Sequence, residues 1–176
     1  MKLTITEQQV ERFAERMGYI DKIIKNRMRE GSWTYLENLV EMYGLSQEDV
    51  DIIGMIQGNI LEGMVNKTFN VPENTPNTMP FDDEFTFKID KVIPKTQNPA
   101  WHQASLTMFK DLDMNLPYFI INTSLVEWNN RRREEGDMAM GPFLDHIMDI
   151  IHDVIMRDNP ILPALGTNIE FETYPI

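Results

Sequence analysis

A chain of 176 residues is long enough for one domain with a substantial core, and 42% hydrophobic with 25% charged residues is a globular rather than a disordered composition. A formal net charge of −12 disfavours binding to phosphate backbones and to anionic lipid. The absence of cysteine excludes disulfides, thiolate zinc sites and cysteine nucleophiles.

The chain opens with a strong helix signal. Thr6 with Gln9 three residues later forms a capping-box pattern, and the apolar residues that follow recur at steps of three and four. That apolar stripe consists of Val10, Phe13, Met17, Ile20 and Ile24. Basic residues and then Gly31 close the segment, so we predict one amphipathic helix up to that glycine.

Two more helices are predicted in the next stretch. Thr34 and Ser46 are each followed three residues later by an acidic side chain, and Gly44 ends the first of the two helices. Three glycines weaken the second, each at a cost of roughly 1 kcal/mol relative to Ala, which hints at close helix contacts or imperfect helicity. These glycines are Gly54, Gly58 and Gly63. Residues 1–69 therefore read as an antiparallel three-helix subdomain.

The composition changes at residues 70–81, which contain Pro72, Pro76 and Pro80. Three prolines in so short a stretch forbid a regular helix or a central strand. We predict a linker or an extended arm, and the prolines are candidates for contacts with a neighbouring subunit.

Residues 82–176 are predicted to form a mixed α/β half with about four strands and one long amphipathic helix. Alternating apolar residues predict strands at 85–90 and 168–174, and a nearly continuous apolar run at 116–125 predicts a strand buried on both faces. Residues 101–114 alternate less clearly. A helix is expected from Pro142 to about Arg157. Loops are expected at 94–99, 129–137 and 159–163. The predicted fold class is α+β, and one integrated domain is the alternative to two separate halves.

The long helix carries the best candidate for metal chemistry. Asp145, Asp149 and His152 share one face, and His152-Asp153 spells the dipeptide of metal-dependent phosphohydrolases. Such a site also needs a histidine well upstream and an aspartate well downstream, but the earlier histidines are only His102 and His146, and 23 residues follow Asp153. The polar residues occupy one arc of the helix and the apolar residues the other, which is typical of a surface helix without a site.

A second candidate is the run Arg131, Arg132 and Arg133 after Trp128, which resembles a nucleic-acid patch beside an aromatic platform. Two glutamates follow at once, and residues 71–176 carry eight basic against seventeen acidic residues. We therefore interpret the run as a solvated turn or a salt-bridging contact to another subunit. No phosphate-binding glycine loop and no acyl-transfer serine motif occurs, so no catalytic residue and no cofactor is predicted.

Thirteen methionines are an excess. Core filling is the favoured interpretation, and an adaptable contact surface is the alternative, since the thioether side chain repacks easily. No apolar run approaches the roughly 20 residues of a membrane span, and residues 1–5 lack a signal-peptide core, so we expect a cytoplasmic location without secretion.

Two resemblances bear on function. The order of elements over about 82–176, ending in NIEFETYPI, resembles the tail-terminator and neck-joining proteins of tailed bacteriophages, which close the tail tube as rings. The N-terminal helices would be an addition to that group. Residues 31–53, GSWTYLENLVEMYGLSQEDVDII, resemble a helical segment of the late-transcription coactivators of T4-like phages. Neither resemblance carries functional residues across.

The leading hypothesis is a non-enzymatic phage assembly protein of the neck or tail, whose partners are further copies of itself and other virion proteins. It would occupy the host cytoplasm and then the virion. The alternative is a small acidic regulator or inhibitor that binds a basic surface of a host protein such as RNA polymerase. A metal-dependent hydrolase that uses Asp145, Asp149 and His152 is the third hypothesis.

Overall fold

A computed structural model describes the backbone of residues 6–31, 33–71, 85–97, 114–126 and 140–175, and the side chains of 6–31, 33–70, 86–97, 114–124 and 148–172. In these ranges the helices are α1 (Glu7–Glu30), α2 (Leu36–Tyr43), α3 (Gln47–Glu62), α4 (Met140–Asp158) and α5 (Ile161–Ala164). The strands are β1 (Thr68–Val71), β2 (Phe85–Gln97), β3 (Leu116–Val126) and β4 (Ile169–Pro175). The predicted α+β class is confirmed.

The chain divides into two compact units that alternate along the sequence. The first unit comprises Met1–Gln57, Thr96–Pro117 and Pro160–Thr167, and the second comprises Gly58–Lys95, Tyr118–Asn159 and Asn168–Ile176. The division at 1–69, 70–81 and 82–176 that composition suggests stays a prediction. Residues 72–81 of the proline-rich arm lie outside the described residues.

Local capping signals start two helices of the first unit as predicted. Thr6 and Gln9 exchange the two hydrogen bonds of a capping box, at 3.0 and 3.2 Å. Ser46 and Asp49 do the same at α3, at 3.0 and 3.3 Å. Each box gives two backbone N–H groups the acceptors that the first helical turn cannot supply.

The predicted start of α2 at Thr34 is wrong. The N-cap is Tyr35, and none of the described side chains caps this helix. The hydroxyl of Thr34 instead accepts a hydrogen bond of 2.8 Å from the side chain of Asn38. The end of the helix is as predicted, because Gly44 adopts a left-handed conformation with φ of 62°.

The core of the first unit joins α1, α2 and α3 around fully buried aliphatic side chains such as Ile20, Leu39 and Ile53. Leu165, in the turn that follows α5, completes this core. Only the second half of α1 is buried in it. Val10 and Phe13 of the predicted apolar stripe are 55% and 44% exposed.

The second unit is built on a sheet with strand order β1-β2-β3-β4. Strands β1 and β2 are antiparallel, and the rings of their opposed residues Phe69 and Phe87 stack at 5.0 Å. Strands β3 and β4 are parallel, in a register that opposes Phe119 to Ile169. Helix α4 lies between these two strands in the chain, as a parallel crossover requires, and contacts β4.

Four features of the chain after residue 67 differ from the prediction. Strand β1 is additional, and β2 continues through Pro94 to Gln97, where a loop was expected. Residues 161–164 form the short helix α5 instead of a loop. Strand β3 is fully buried on one face only, since Phe119 and Ile121 are buried and Ile120 between them is partly exposed. The pairing of β1 along the edge of the sheet is decided by tertiary structure, which periodicity does not record. The segments expected to be ambiguous at 101–113 and turn-like at 129–137 lie outside the described residues.

The glycines of α3 lie where neighbouring side chains approach closely. Among the described residues, a Cβ on Gly54 would lie 3.1 Å from Cβ of Pro117, whereas a Cβ on Gly58 would meet the ring edge of Phe119, at 3.5 Å. The predicted reason, close contacts, therefore applies to Gly54. Gly63 lies just beyond the end of the helix.

We expect Gly58→Ala to raise the free energy of unfolding by about 0.5–1 kcal/mol, because alanine loses less backbone entropy in a helix. Gly54→Ala is the matched control, in which contact with Pro117 offsets the same gain. Urea denaturation followed by circular dichroism measures both. An equal stabilisation by the two substitutions would contradict the close packing at Gly54.

Candidate interaction surface

An exposed aromatic pair lies just before α2, in residues 33–35, which we call the connector. The rings of Trp33 and Tyr35 are 4.5 Å apart at an interplanar angle of 69°, an edge-to-face arrangement. The two residues nevertheless remain 47% and 54% exposed. Two large aromatic side chains therefore contact each other while leaving about half of their surface to solvent.

The local sequence explains why the two rings meet. Gly31 ends α1 in a left-handed conformation with φ of 67°, and the backbone at Tyr35 is extended, with φ of −68° and ψ of 150°. Residues two apart in extended backbone point to the same side. Trp33 and Tyr35 are therefore placed side by side by the connector itself.

The backbone of the connector packs directly against Gly166. This glycine follows α5 with φ of 61°, and a Cβ on it would lie 2.5 Å from the backbone nitrogen of Leu36 and 2.6 Å from the carbonyl oxygen of Thr34. No side chain fits at such distances, so the two backbones are in direct contact across the connector.

Hydrogen bonds from Thr167 and Gln57 stabilise the turn that carries Gly166. The Thr167 hydroxyl donates a 2.7 Å hydrogen bond to the carbonyl oxygen of Leu162, and the buried amide of Gln57 donates a 3.3 Å bond to that of Leu165. Thr167 and Leu165 are buried as well. The aromatic pair thus projects from a backbone that is fixed on the side facing the core.

Methionine contributes both to cores and to exposed surface. Met64 and Met156 are buried, whereas Met28, Met42 and Met55 are 44%, 62% and 52% exposed. Core filling accounts for the first group. Core filling does not account for the three exposed side chains.

The structure describes the side chains of two of the three metal candidates on α4, Asp149 and His152. Asp149 is exposed, and His152 packs its ring edge against Phe171 of β4, with centroids 5.9 Å apart. The His152 Nδ1 atom lies 3.8 Å from a carboxylate oxygen of Asp153, which is 82% exposed. The side chain of Asp145 lies outside the described residues. In the described part of the chain, no three acidic or histidine side chains are grouped closely enough to hold a metal ion.

The interaction candidates from the sequence are not placed by the structure. Trp128, Arg131, Arg132, Arg133 and the prolines Pro72, Pro76 and Pro80 all lie outside the described residues. Their contacts with neighbouring subunits stay a prediction.

Comparison of the chain with protein-family models, with curated proteins and with solved structures gives no match. Within the described ranges, no helix combines the length and apolar character that crossing a membrane requires.

The sequence pattern does not single out the aromatic pair, since Thr34 with Glu37 has the spacing of a helix cap. The available signal was the spacing of Trp33 and Tyr35, two residues apart just after a helix-ending glycine. No local sequence pattern indicates the contact with Gly166, since that glycine lies 131 residues after Tyr35 in the chain.

Proposed function

We propose that this chain is a non-enzymatic assembly protein that binds other protein subunits through the Trp33–Tyr35 pair. The observation that carries the proposal is the exposure of both rings on a connector whose backbone is held by Gly166. Tryptophan and tyrosine are the residues most enriched among those that dominate protein–protein binding energy.

Preorganisation is the physical reason why this pair is suited to binding. Association is opposed by the ordering of side chains and loops at the interface, and a connector already fixed in the free protein reduces that cost. Each ring also presents a large apolar area with few rotatable bonds. A partner with a shallow apolar pocket would therefore gain burial at little entropic cost.

The biological setting we propose is the neck or tail of a tailed phage, with further copies of this chain and other virion proteins as partners. The support is the order of elements in the second half of the sequence, which resembles the ring-forming tail-terminator and neck proteins. The location would then be the host cytoplasm followed by the virion. A homo-oligomeric ring is the expected assembly.

The aromatic pair is tested by the double substitution Trp33→Ala/Tyr35→Ala. Light scattering over a concentration series gives the oligomeric mass, and sedimentation with purified virion heads and tails gives binding. We expect the wild-type chain to assemble or to bind particles, and the double variant to bind at least about tenfold more weakly, as loss of an interface anchor does.

The matched control is Met42→Ala/Met55→Ala, which removes two equally exposed apolar side chains from α2 and α3. Circular dichroism checks that every variant is folded. A wild-type chain that stays monomeric at high concentration and binds no virion part contradicts the proposal. Equal losses in the test and control variants would contradict the role of the aromatic pair.

A second candidate function is that of an acidic regulator that binds a basic face of a host protein such as RNA polymerase. The net charge of −12 supports it, as do the exposed carboxylates of Asp149 and Asp153 on α4 and of Glu170 and Glu172 on β4. Binding driven by such a surface weakens steeply with salt. A host complex that survives high salt unchanged would exclude this candidate.

A further inference from the structure

Helix α1 carries a stripe of charged residues that is segregated by sign. Six of its exposed residues lie at steps of three or four around Gly18, with acidic side chains before the glycine and basic ones after it. These residues are Glu7, Glu11, Glu15, Lys22, Lys25 and Arg29. At 100° per residue they and Gly18 fall within an arc of about 80°, so they form one continuous line along the helix.

The charges of this stripe are not used within the described part of the chain. None of the six side chains forms an ion pair there, and the only polar contact is a 2.7 Å hydrogen bond from Arg29 to Asn26 on the same helix. The arginines on the other side of α1 differ. Arg12 pairs with Glu48 at 2.9 Å and Arg16 with the buried Asp49 at 3.5 Å.

The helix dipole explains only the ends of the stripe. Acidic residues are favoured in the first turn and basic residues in the last turn, which accounts for Glu7 and Arg29. Glu11, Glu15 and Lys22 lie further inside, where the dipole has little effect. Like charges four residues apart disfavour an isolated helix, so the succession of Glu7, Glu11 and Glu15 gains nothing within α1 itself.

We propose that α1 pairs with α1 of a second copy of this chain, antiparallel and about a two-fold axis that passes near Gly18. In this arrangement Glu7 lies opposite Arg29 of the second copy, Glu11 opposite its Lys25, and Glu15 beside its Lys22. A two-fold axis repeats each pair, since the same surface serves both copies. The stripe is therefore complementary in charge to the stripe of a second copy, but only when the two helices run antiparallel.

The surface beside the stripe fits the same pairing. Val10 and Met28 lie on one line of α1, are 55% and 44% exposed, and are placed almost symmetrically about Gly18. In the antiparallel pair Val10 meets Met28 of the second copy, which removes both from water. An open depression of about 520 Å³ lies along the helix at Gly18, Tyr19 and Lys22. Among the described residues outside the helix, no atom lies within 4 Å of a Cβ built on Gly18, which leaves room for close approach of a second helix.

This inference rests on the proposed assembly function and names one of its partners, a second copy. Its test uses two charge-reversed variants of the full chain, Glu7→Lys/Glu11→Lys/Glu15→Lys and Lys22→Glu/Lys25→Glu/Arg29→Glu. We expect the wild-type chain to dimerise, and each variant to dimerise at least about tenfold more weakly, because every attraction in the interface becomes a repulsion. Equimolar mixing of the two variants restores a dimer of wild-type affinity.

The matched control is Glu41→Lys/Asp51→Lys/Glu62→Lys, which changes the net charge as much as the first variant does on exposed faces of α2 and α3. Its dimer affinity is expected to equal that of the wild-type chain. Raised salt weakens the wild-type dimer, since exposed ion pairs are screened. Circular dichroism confirms that the helix persists in each variant.

The natural absence of cysteine allows a second test that does not depend on charge reversal. Gly18→Cys places two thiols near the proposed axis, and mild oxidation is expected to link two copies through a disulfide. Glu7→Cys alone gives no such dimer, but a mixture of Glu7→Cys with Arg29→Cys gives the crossed product. Glu41→Cys on α2 is the negative control.

The outcomes separate this inference from the proposed function. A wild-type chain that stays monomeric, reversed variants that dimerise as the wild type does, or mixing that restores nothing would each overturn the α1 pairing. If the reversed variants bind virion parts normally while Trp33→Ala/Tyr35→Ala does not, the assembly function stands without the α1 dimer. If Trp33→Ala/Tyr35→Ala loses dimerisation while the charge-reversed variants keep it, the assembly function likewise stands and the α1 pairing is wrong.

Discussion

We expect Gly166→Ala to lower the free energy of unfolding by about 3 kcal/mol or more, which is a large fraction of the stability of a typical domain. Two costs add. The backbone of Gly166 is left-handed with φ of 61°, which disfavours any side chain, and the new Cβ would lie 2.5 Å from the nitrogen of Leu36. The backbone from Thr34 to Leu36 would have to move, and the aromatic pair with it.

Gly31→Ala separates the two costs. Gly31 has nearly the same left-handed conformation, with φ of 67°, but an added Cβ would have no non-neighbouring atom of the described residues within 4 Å. Its substitution is expected to cost only the conformational part, about 1–2 kcal/mol. Urea denaturation followed by far-UV circular dichroism compares the two variants. Equal destabilisation would show that Gly166 does not contact the connector as described.

The second large effect is expected at Ile20, where truncation to alanine lowers the free energy of unfolding by about 2–5 kcal/mol. Ile20 is fully buried in the core shared by α1, α2 and α3. Its removal leaves a cavity in addition to the lost burial of the side chain. Thermal or urea unfolding measures the loss.

Phe13→Ala is the informative control for Ile20, because both residues belong to one apolar stripe in the sequence. Phe13 is 44% exposed, so its truncation is expected to change stability by less than about 0.5 kcal/mol. A large loss at Phe13, comparable with that at Ile20, would place the first half of α1 in the core and so contradict the fold described.

Local sequence determined where several elements begin and end. The boxes Thr6/Gln9 and Ser46/Asp49 and the closing glycines Gly31 and Gly44 act within one helical turn, so the nearby sequence contains all that is needed to read them. Alternation of apolar residues likewise located the strands that begin at Phe85 and Ile169, because one face of each meets a core. The polar and apolar arcs of α4 followed from helical period alone.

Contacts between distant residues decided the rest. The sequence shows one apolar stripe from Val10 to Ile24, and only packing determines that its second half is buried while Val10 and Phe13 remain exposed. Thr34 has the pattern of a cap, yet its hydroxyl accepts a hydrogen bond from Asn38, and the neighbouring backbone packs against Gly166, which lies 132 residues later in the chain.

The same division holds for the candidate site and for the acidity of the chain. The net charge of −12 and the exclusion of cysteine chemistry both follow from counting residues in the sequence. The exposure of Trp33 and Tyr35 depends on which backbones approach the connector, and so only the tertiary structure decides it. Periodicity reports which side of an element is apolar, whereas burial depends on what packs against that side.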